Sequence, residues 1–189
     1  MTAAMYVPQF FVRQKLTMMV NRYDITMANP DGSEGQLLAF AQQKRFAFKE
    51  EVTFFSDESR THAVFGFKAR KKLDLNAGYD VTDEYGQPIG YFKKEFGASL
   101  MRSTFRIEGP GYAGLGHERS QLVAVLRRFS DVPFLRFHFD FHDDAGNLLM
   151  SSDRKASLRD KYTVTVPDQR VDFRVAAAMA VGLDALMAR

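Results

Sequence analysis

The feature that constrains this chain most is its last stretch. From Pro167-Asp168 onward, Val171, Phe173, Val175, Ala176, Ala177, Ala178, Met179, Ala180, Val181, Leu183, Ala185, Leu186 and Met187 follow with few polar interruptions. The spacing predicts one helix over residues 169–187, about 30 Å long at 1.5 Å per residue. Pro167 acts as a stop, Asp168 as the N-cap, and Asp172 places a carboxylate in the first turn, where the helix dipole favours it. A helix apolar on nearly every side must be buried all round. The competing reading is a membrane tail anchor. Arg174 and Asp184 oppose it, because the uninterrupted run from Val175 to Leu183 is too short for a bilayer core.

The rest of the chain alternates with the period of a strand. A polar–apolar weave over residues 10–28, carrying Phe11, Leu16, Val20, Tyr23 and Ile25, breaks at Asn29-Pro30-Asp31-Gly32 and resumes from Leu37 to Gln43. That pattern reads as a hairpin with a long turn. Val52 to Phe55 and Ala63 to Ala69 are two short strands. Tyr79 to Asp83 turns at Glu84-Tyr85-Gly86-Gln87 and returns over Ile89 to Phe96. Leu135 to Phe141 turns at Asp143-Asp144-Ala145-Gly146-Asn147 and returns over Leu148 to Ser152, and Tyr162 to Val166 adds one more strand. Three units thus share a form: strand, acidic residue, glycine turn, returning strand. They predict a meander of antiparallel hairpins in a barrel or sandwich. Glu118 to Phe129, with Leu122, Val125, Leu126 and Phe129 at helical spacing, is expected to be a second helix.

Composition removes several function classes. Cysteine is absent, which excludes disulfides, a thiol nucleophile and cysteine-ligated metals. The net charge of +3, from 26 Lys and Arg against 23 Asp and Glu, falls short of a nucleic-acid-binding balance. The chain length suits one domain, 1–189. Met1 to Phe11 lacks a basic region of the secretory type, and Arg13 and Lys15 cut its apolar stretch, so a cytoplasmic address is expected.

Three local patterns carry chemical potential. Gly109-Pro110-Gly111-Tyr112-Ala113-Gly114 has the letters of a dinucleotide loop. The residues before it alternate as a half-exposed antiparallel strand, whereas the cofactor loop needs a buried parallel one. A flexible surface loop is expected. His138, Asp140 and His142 share one face of a strand whose other face is Phe137, Phe139 and Phe141. Two imidazoles and a carboxylate are a metal ligand set. Straight-strand spacing, however, puts the outer pair about 13 Å apart, too far for one ion. No metal and no cofactor are expected. Lys68, Arg70, Lys71 and Lys72 form the densest basic run, at the end of a strand. Near an anionic leaflet each such residue contributes about 1 kcal/mol. Lys93-Lys94, Arg102, Arg106 and Arg127-Arg128 are the other basic positions. No esterase elbow, P-loop or zinc-protease motif occurs.

Taken in order, these segments resemble the LURP-one-related proteins of the tubby C-terminal-like superfamily, which also holds the phospholipid scramblases. The resemblance rests on Phe11-Val12-Arg13-Gln14-Lys15-Leu16, Asn21-Arg22-Tyr23-Asp24-Ile25, Phe48-Lys49-Glu50 and Val64-Phe65-Gly66-Phe67-Lys68-Ala69-Arg70. It continues through Tyr79-Asp80-Val81-Thr82-Asp83-Glu84-Tyr85-Gly86-Gln87-Pro88-Ile89-Gly90, Ser99 to Ile107, Glu118-Arg119-Ser120 and Leu158-Arg159-Asp160-Lys161-Tyr162. It implies a closed antiparallel barrel of about 12 strands around the hydrophobic C-terminal helix. It also implies a non-enzymatic module, with phosphoinositide or other acidic head groups, or a protein partner, bound on the outer wall. Lys68, Arg70, Lys71 and Lys72 are the lipid-contact candidates from the residues themselves. No transmembrane segment and no nucleic acid are expected. The alternative is a small-molecule or metal-dependent enzyme using the His138, Asp140 and His142 face.

Overall fold

The computed structural model describes residues 4–16, 20–44, 51–70, 78–95, 104–119, 138–155 and 161–187. The strands are β1 (Gln9–Leu16), β2 (Val20–Ala28), β3 (Glu34–Lys44), β4 (Glu51–Phe55), β5 (Ala63–Ala69) and β6 (Tyr79–Asp83). They continue with β7 (Pro88–Glu95), β8 (Thr104–Gly109), β9 (Tyr112–Glu118), β10 (His138–His142), β11 (Leu148–Lys155) and β12 (Lys161–Thr165), followed by the helix α1 (Phe173–Met187). Each strand pairs antiparallel with its neighbour in sequence, and β12 pairs with β1, so the sheet closes on itself. Closure leaves none of these strands as an open edge.

Residues inside the barrel explain why the sequence is rich in phenylalanine. The helix is thin: Ala176, Ala177, Ala178 and Ala180 lie along it, and each is fully buried. Large rings from the wall fill the space around it. Phe173 meets Phe10 edge-on with centroids 5.0 Å apart, and Phe67 meets Phe92 at 5.1 Å. Tyr79 stacks on Phe92 at 4.9 Å, and Phe54 on Phe65 at 4.2 Å. Offset and edge-on pairs of this kind add about 0.5–1.5 kcal/mol beyond burial. The helix presses closest on β7, where a Cβ on Gly90 would stand 2.5 Å from Val175 Cγ2. The barrel and the helix predicted for the chain are both found, and the helix is buried from Phe173 to Leu183 and at Leu186. Among the described residues no helix is long and apolar enough to cross a membrane.

Several boundaries differ from the sequence reading. The weave over residues 10–28 is two strands, β1 and β2, paired with each other. Helix α1 starts at Phe173, not at residue 169. Asp168 closes a separate turn, its side chain accepting from Arg170 N and its carbonyl from Val171 N. Asp172 is the actual cap, its side chain accepting from Arg174 N at 2.9 Å. The expected flexible loop at Gly109–Gly114 is a tight hairpin, with Gly109 paired to Tyr112. Pro110 supplies the fixed negative φ and Gly111 the positive one, at 78°. Glu118 ends β9 and is buried, rather than opening a helix. Residues 120–129 of that expected helix lie outside the described residues, as do Leu135 to Phe137.

The meander fixes two ends. The turns β2–β3, β4–β5, β6–β7, β8–β9 and β10–β11 all fall at one end, where β12 also exits and α1 begins. We call this the turn end and the opposite one the far end.

Candidate functional site

The interior holds the helix and its aromatic packing, so the outer wall is where chemistry is accessible. Strand β5 points Phe65 and Phe67 inward, and its parity sends Lys68 outward, with Arg70 two residues on. Both stand at the far end. Lys68 Nζ lies 3.5 Å from Glu51 Oε2 across the β4–β5 pair, with its side chain 65% exposed. Arg70 is held more firmly. Its guanidinium takes Asp80 in a fork, Nη2 to Oδ1 at 2.7 Å and Nε to Oδ2 at 3.1 Å, and lies 4.1 Å from the centroid of the Tyr91 ring. Its main-chain N–H donates to Gly78 O at 2.9 Å. The fork is the strong geometry for an arginine–carboxylate pair. The structure thus brings Lys68 and Arg70 onto one face, each beside a carboxylate. Lys71 and Lys72 lie outside the described residues.

The His138, Asp140 and His142 face points outward, opposite the fully buried Phe139 and Phe141. His138 and Asp140 have partners drawn from the neighbouring strands. His138 Nδ1 is 2.7 Å from Asp153 Oδ1 on β11. Arg119, just past β9, grips Asp140 through Nε at 2.7 Å and Nη2 at 2.6 Å, and its Nη1 lies 3.6 Å from Asp153. Asp140 sits directly opposite Ser151, and a bulge between Phe141 and His142 shifts the last residue. The face is an ion-pair chain running across β9, β10 and β11. Among the described residues no group of three or more His, Asp or Glu side chains is placed to hold a metal ion.

One basic cluster has no counterpart in the linear sequence. Across the seam, Arg13 on β1 stands opposite Lys161 on β12, and Lys15 stands opposite Arg22 on β2. Like charges directly opposite each other are unfavourable. Carboxylates relieve them: Glu34 pairs with both Arg13 and Lys161, the latter at 2.8 Å, and Asp24 pairs with Lys15 at 2.6 Å. Lys161 Nζ also caps the outward-facing but buried Phe11, 3.9 Å from the ring centroid. Burial works to raise the Glu34 carboxyl. The hydrogen bond from Lys161 and the charges of Arg13 and Lys161 outweigh it, so the group is held below the ordinary range. These residues come from four strands and are scattered singly along the chain, so only the register gathers them. Elsewhere on the wall, Arg106 is tied to Glu95 and Glu108, and Lys93 to Glu95. Arg102, Arg127 and Arg128 lie outside the described residues.

The turn end is acidic and tightly bonded. Arg170 donates to Asp168, to Asp143 and to Gly111 O at 3.0 Å, tying together the β12 exit and two hairpin turns. Just inside, Arg174 and Asp172 form a buried pair at 2.7 Å. Burial pushes the Tyr112 hydroxyl upward, and the charge of nearby Asp172 adds to it.

No curated protein matches the chain. A family model does, over residues 37–184, from β3 to the last turns of α1, and its description is LURP-one-related. That span is well over half of the chain, and the chain therefore belongs to the LURP-one-related family.

Proposed function

We propose that the whole chain, 1–189, acts as one non-enzymatic binding domain that takes acidic lipid head groups, phosphoinositides among them, at the far end of the barrel. Lys68, Arg70, Lys71 and Lys72 are the contact residues, and the protein works at the cytoplasmic periphery of a membrane. The observation that carries the reading is the outward projection of Lys68 and Arg70 from the end of β5, on a barrel whose interior is filled by its own helix. The resemblance to tubby-type barrels points the same way. Magnitudes make the binding weak. At about 1 kcal/mol per basic residue, four residues supply a few kcal/mol, and Glu51 and Asp80 offset part of it. Attraction of this kind is screened within a Debye length of about 8 Å at physiological salt. An enzyme at His138, Asp140 and His142 has less support, because Arg119 and Asp153 already engage that face.

Co-sedimentation tests the reading. Vesicles of phosphatidylcholine with a phosphoinositide should pellet the protein at low salt and release much of it at physiological salt. Pure phosphatidylcholine should pellet none. Changing Lys71 and Lys72 to Glu should abolish the salt-sensitive fraction. Failure of phosphoinositide vesicles to pellet the protein even at low salt would overturn the proposal and leave a protein-interaction module.

A further inference from the structure

Three hairpins at the turn end repeat one turn. In residues 29–33, 83–87 and 143–147 the first N–H donates to the fifth carbonyl, and the fourth N–H donates to the first carbonyl. The fourth residue is a glycine at positive φ each time: Gly32, Gly86 and Gly146. Asp83 and Asp143 complete their turns alike, with Oδ1 accepting from the third and fifth N–H groups. The third position is Asp31, Tyr85 or Ala145. Since aspartate and alanine serve the same geometry, the turn does not need a tyrosine. Yet Tyr85 is there, 75% exposed.

Tyr85 has company. Every large apolar side chain exposed among the described residues lies at this end: Met5, Tyr6, Met27 and Leu148 besides Tyr85. The first four come from the approach to β1, the end of β2 and the start of β11, which with β12 form one continuous sector. Charge is just as lopsided. The connections 29–33, 56–62, 83–87, 110–111, 143–147 and 166–172 carry nine carboxylates and two guanidiniums, a net of −7 in a chain of net +3. Asp31, Asp57, Glu58, Glu84 and Asp144 are exposed. Hydrogen bonds from Ser33, Ser59, Asn147 and Arg170 hold Asp31, Asp57, Asp143 and Asp168 below the ordinary carboxylate range, so they stay ionised in mild acid.

We infer that the turn end is a docking surface for a cationic protein segment that also carries apolar side chains. Tyr85, Met5, Tyr6, Met27 and Leu148 take the apolar groups, and the surrounding carboxylates take the basic ones. Apolar side chains gathered at one end and ringed by charge mark interaction surfaces. The sign of the ring selects the partner and excludes an acidic membrane from this end. The loops are already fixed by their own aspartates and by Arg170, so little ordering cost opposes docking. The inference does not depend on lipid binding, which concerns the far end.

The test is an amide-spectrum titration with two short amphipathic peptides of one pattern, one of Lys and Leu, the other of Glu and Leu. The Lys/Leu peptide should bind, with shifts concentrated at residues 29–33, 83–87 and 143–148, and weaken as salt rises. The Glu/Leu peptide should leave the spectrum unchanged. The double variant Tyr85→Ser, Leu148→Ser should keep its melting temperature and lose about tenfold in affinity. Absence of shifts, shifts from both peptides alike, shifts centred on the far end, or wild-type affinity in the double variant would each overturn the inference. Concentration-dependent dimerisation in the ultracentrifuge, shifting the same residues without peptide, would overturn it in favour of a second copy of this chain.

Discussion

Arg174 and Asp172 show how single residues position the helix. Both are almost fully buried, at 5% and 4% exposure, where the chain enters the barrel. Asp172 Oδ1 caps α1 through Arg174 N, and Oδ2 accepts both from Arg174 Nη2 and from Met5 N at 3.2 Å. Phe173 N, one of the N–H groups a helix start leaves without an intrahelical partner, donates to Met5 O at 2.7 Å. A buried pair contributes little in total but much when only one side is removed. Asp172→Ala is therefore expected to cost about 3 kcal/mol, since a charge is stranded and a cap is lost. Asp172→Ala with Arg174→Met should cost only about 1 kcal/mol, the cap alone. Chemical denaturation of the two variants measures the difference. Equal losses would mean that the Arg174 charge is not stranded when Asp172 is removed.

At the scale of elements, the seam between β12, β1 and β2 is what closes the barrel. The family match begins at residue 37, so β1 and β2 lie outside it, yet β1 is the strand that joins β2 to β12. Glu34 fastens this seam through Arg13 and Lys161. Its folded pKa is lowered from the ordinary value near 4.5. A lowered carboxyl contributes stability that is complete above the ordinary value and is lost as pH falls through the folded one. Glu34→Gln should thus be less stable than wild type by about 1 kcal/mol at pH 7. The gap should narrow steadily in acid below about pH 4.5. A gap independent of pH, followed by thermal melts, would show that shape rather than charge holds the seam. The same scale shows what the sequence made legible. Glycine turns and the apolar helix could be read because their causes are local: a positive φ, an aspartate bonding its own loop, an apolar surface on every side. Strand β9 could not, because its inward positions include Gly114 and Gly116 in place of apolar residues. A Cβ on Gly114 would stand 2.6 Å from His142 O, and one on Gly116 would stand 2.3 Å from Phe141, so packing demands the very residues that erase the alternation. The partners of Lys68, Arg70, His138 and Asp140 were equally invisible, since each is set by cross-strand register.

Charge is unevenly spread over the described residues. The turn end is acidic, with exposed apolar groups, and the other described residues carry a net +4 against the −7 of that end. Such a charge distribution orients a protein near an anionic surface as well as attracting it. A protein that meets lipid at its far end must hold the turn end away from the membrane, open to a partner. The most direct measurement is paramagnetic broadening of the amide spectrum on phosphoinositide bicelles doped with a nitroxide lipid. Signals of Glu51, Lys68, Arg70 and Asp80 should broaden at low salt and recover at physiological salt, while those of Tyr85, Gly86, Ala145 and Gly146 stay sharp. Broadening of the turn end, uniform broadening, or none at all would contradict the account.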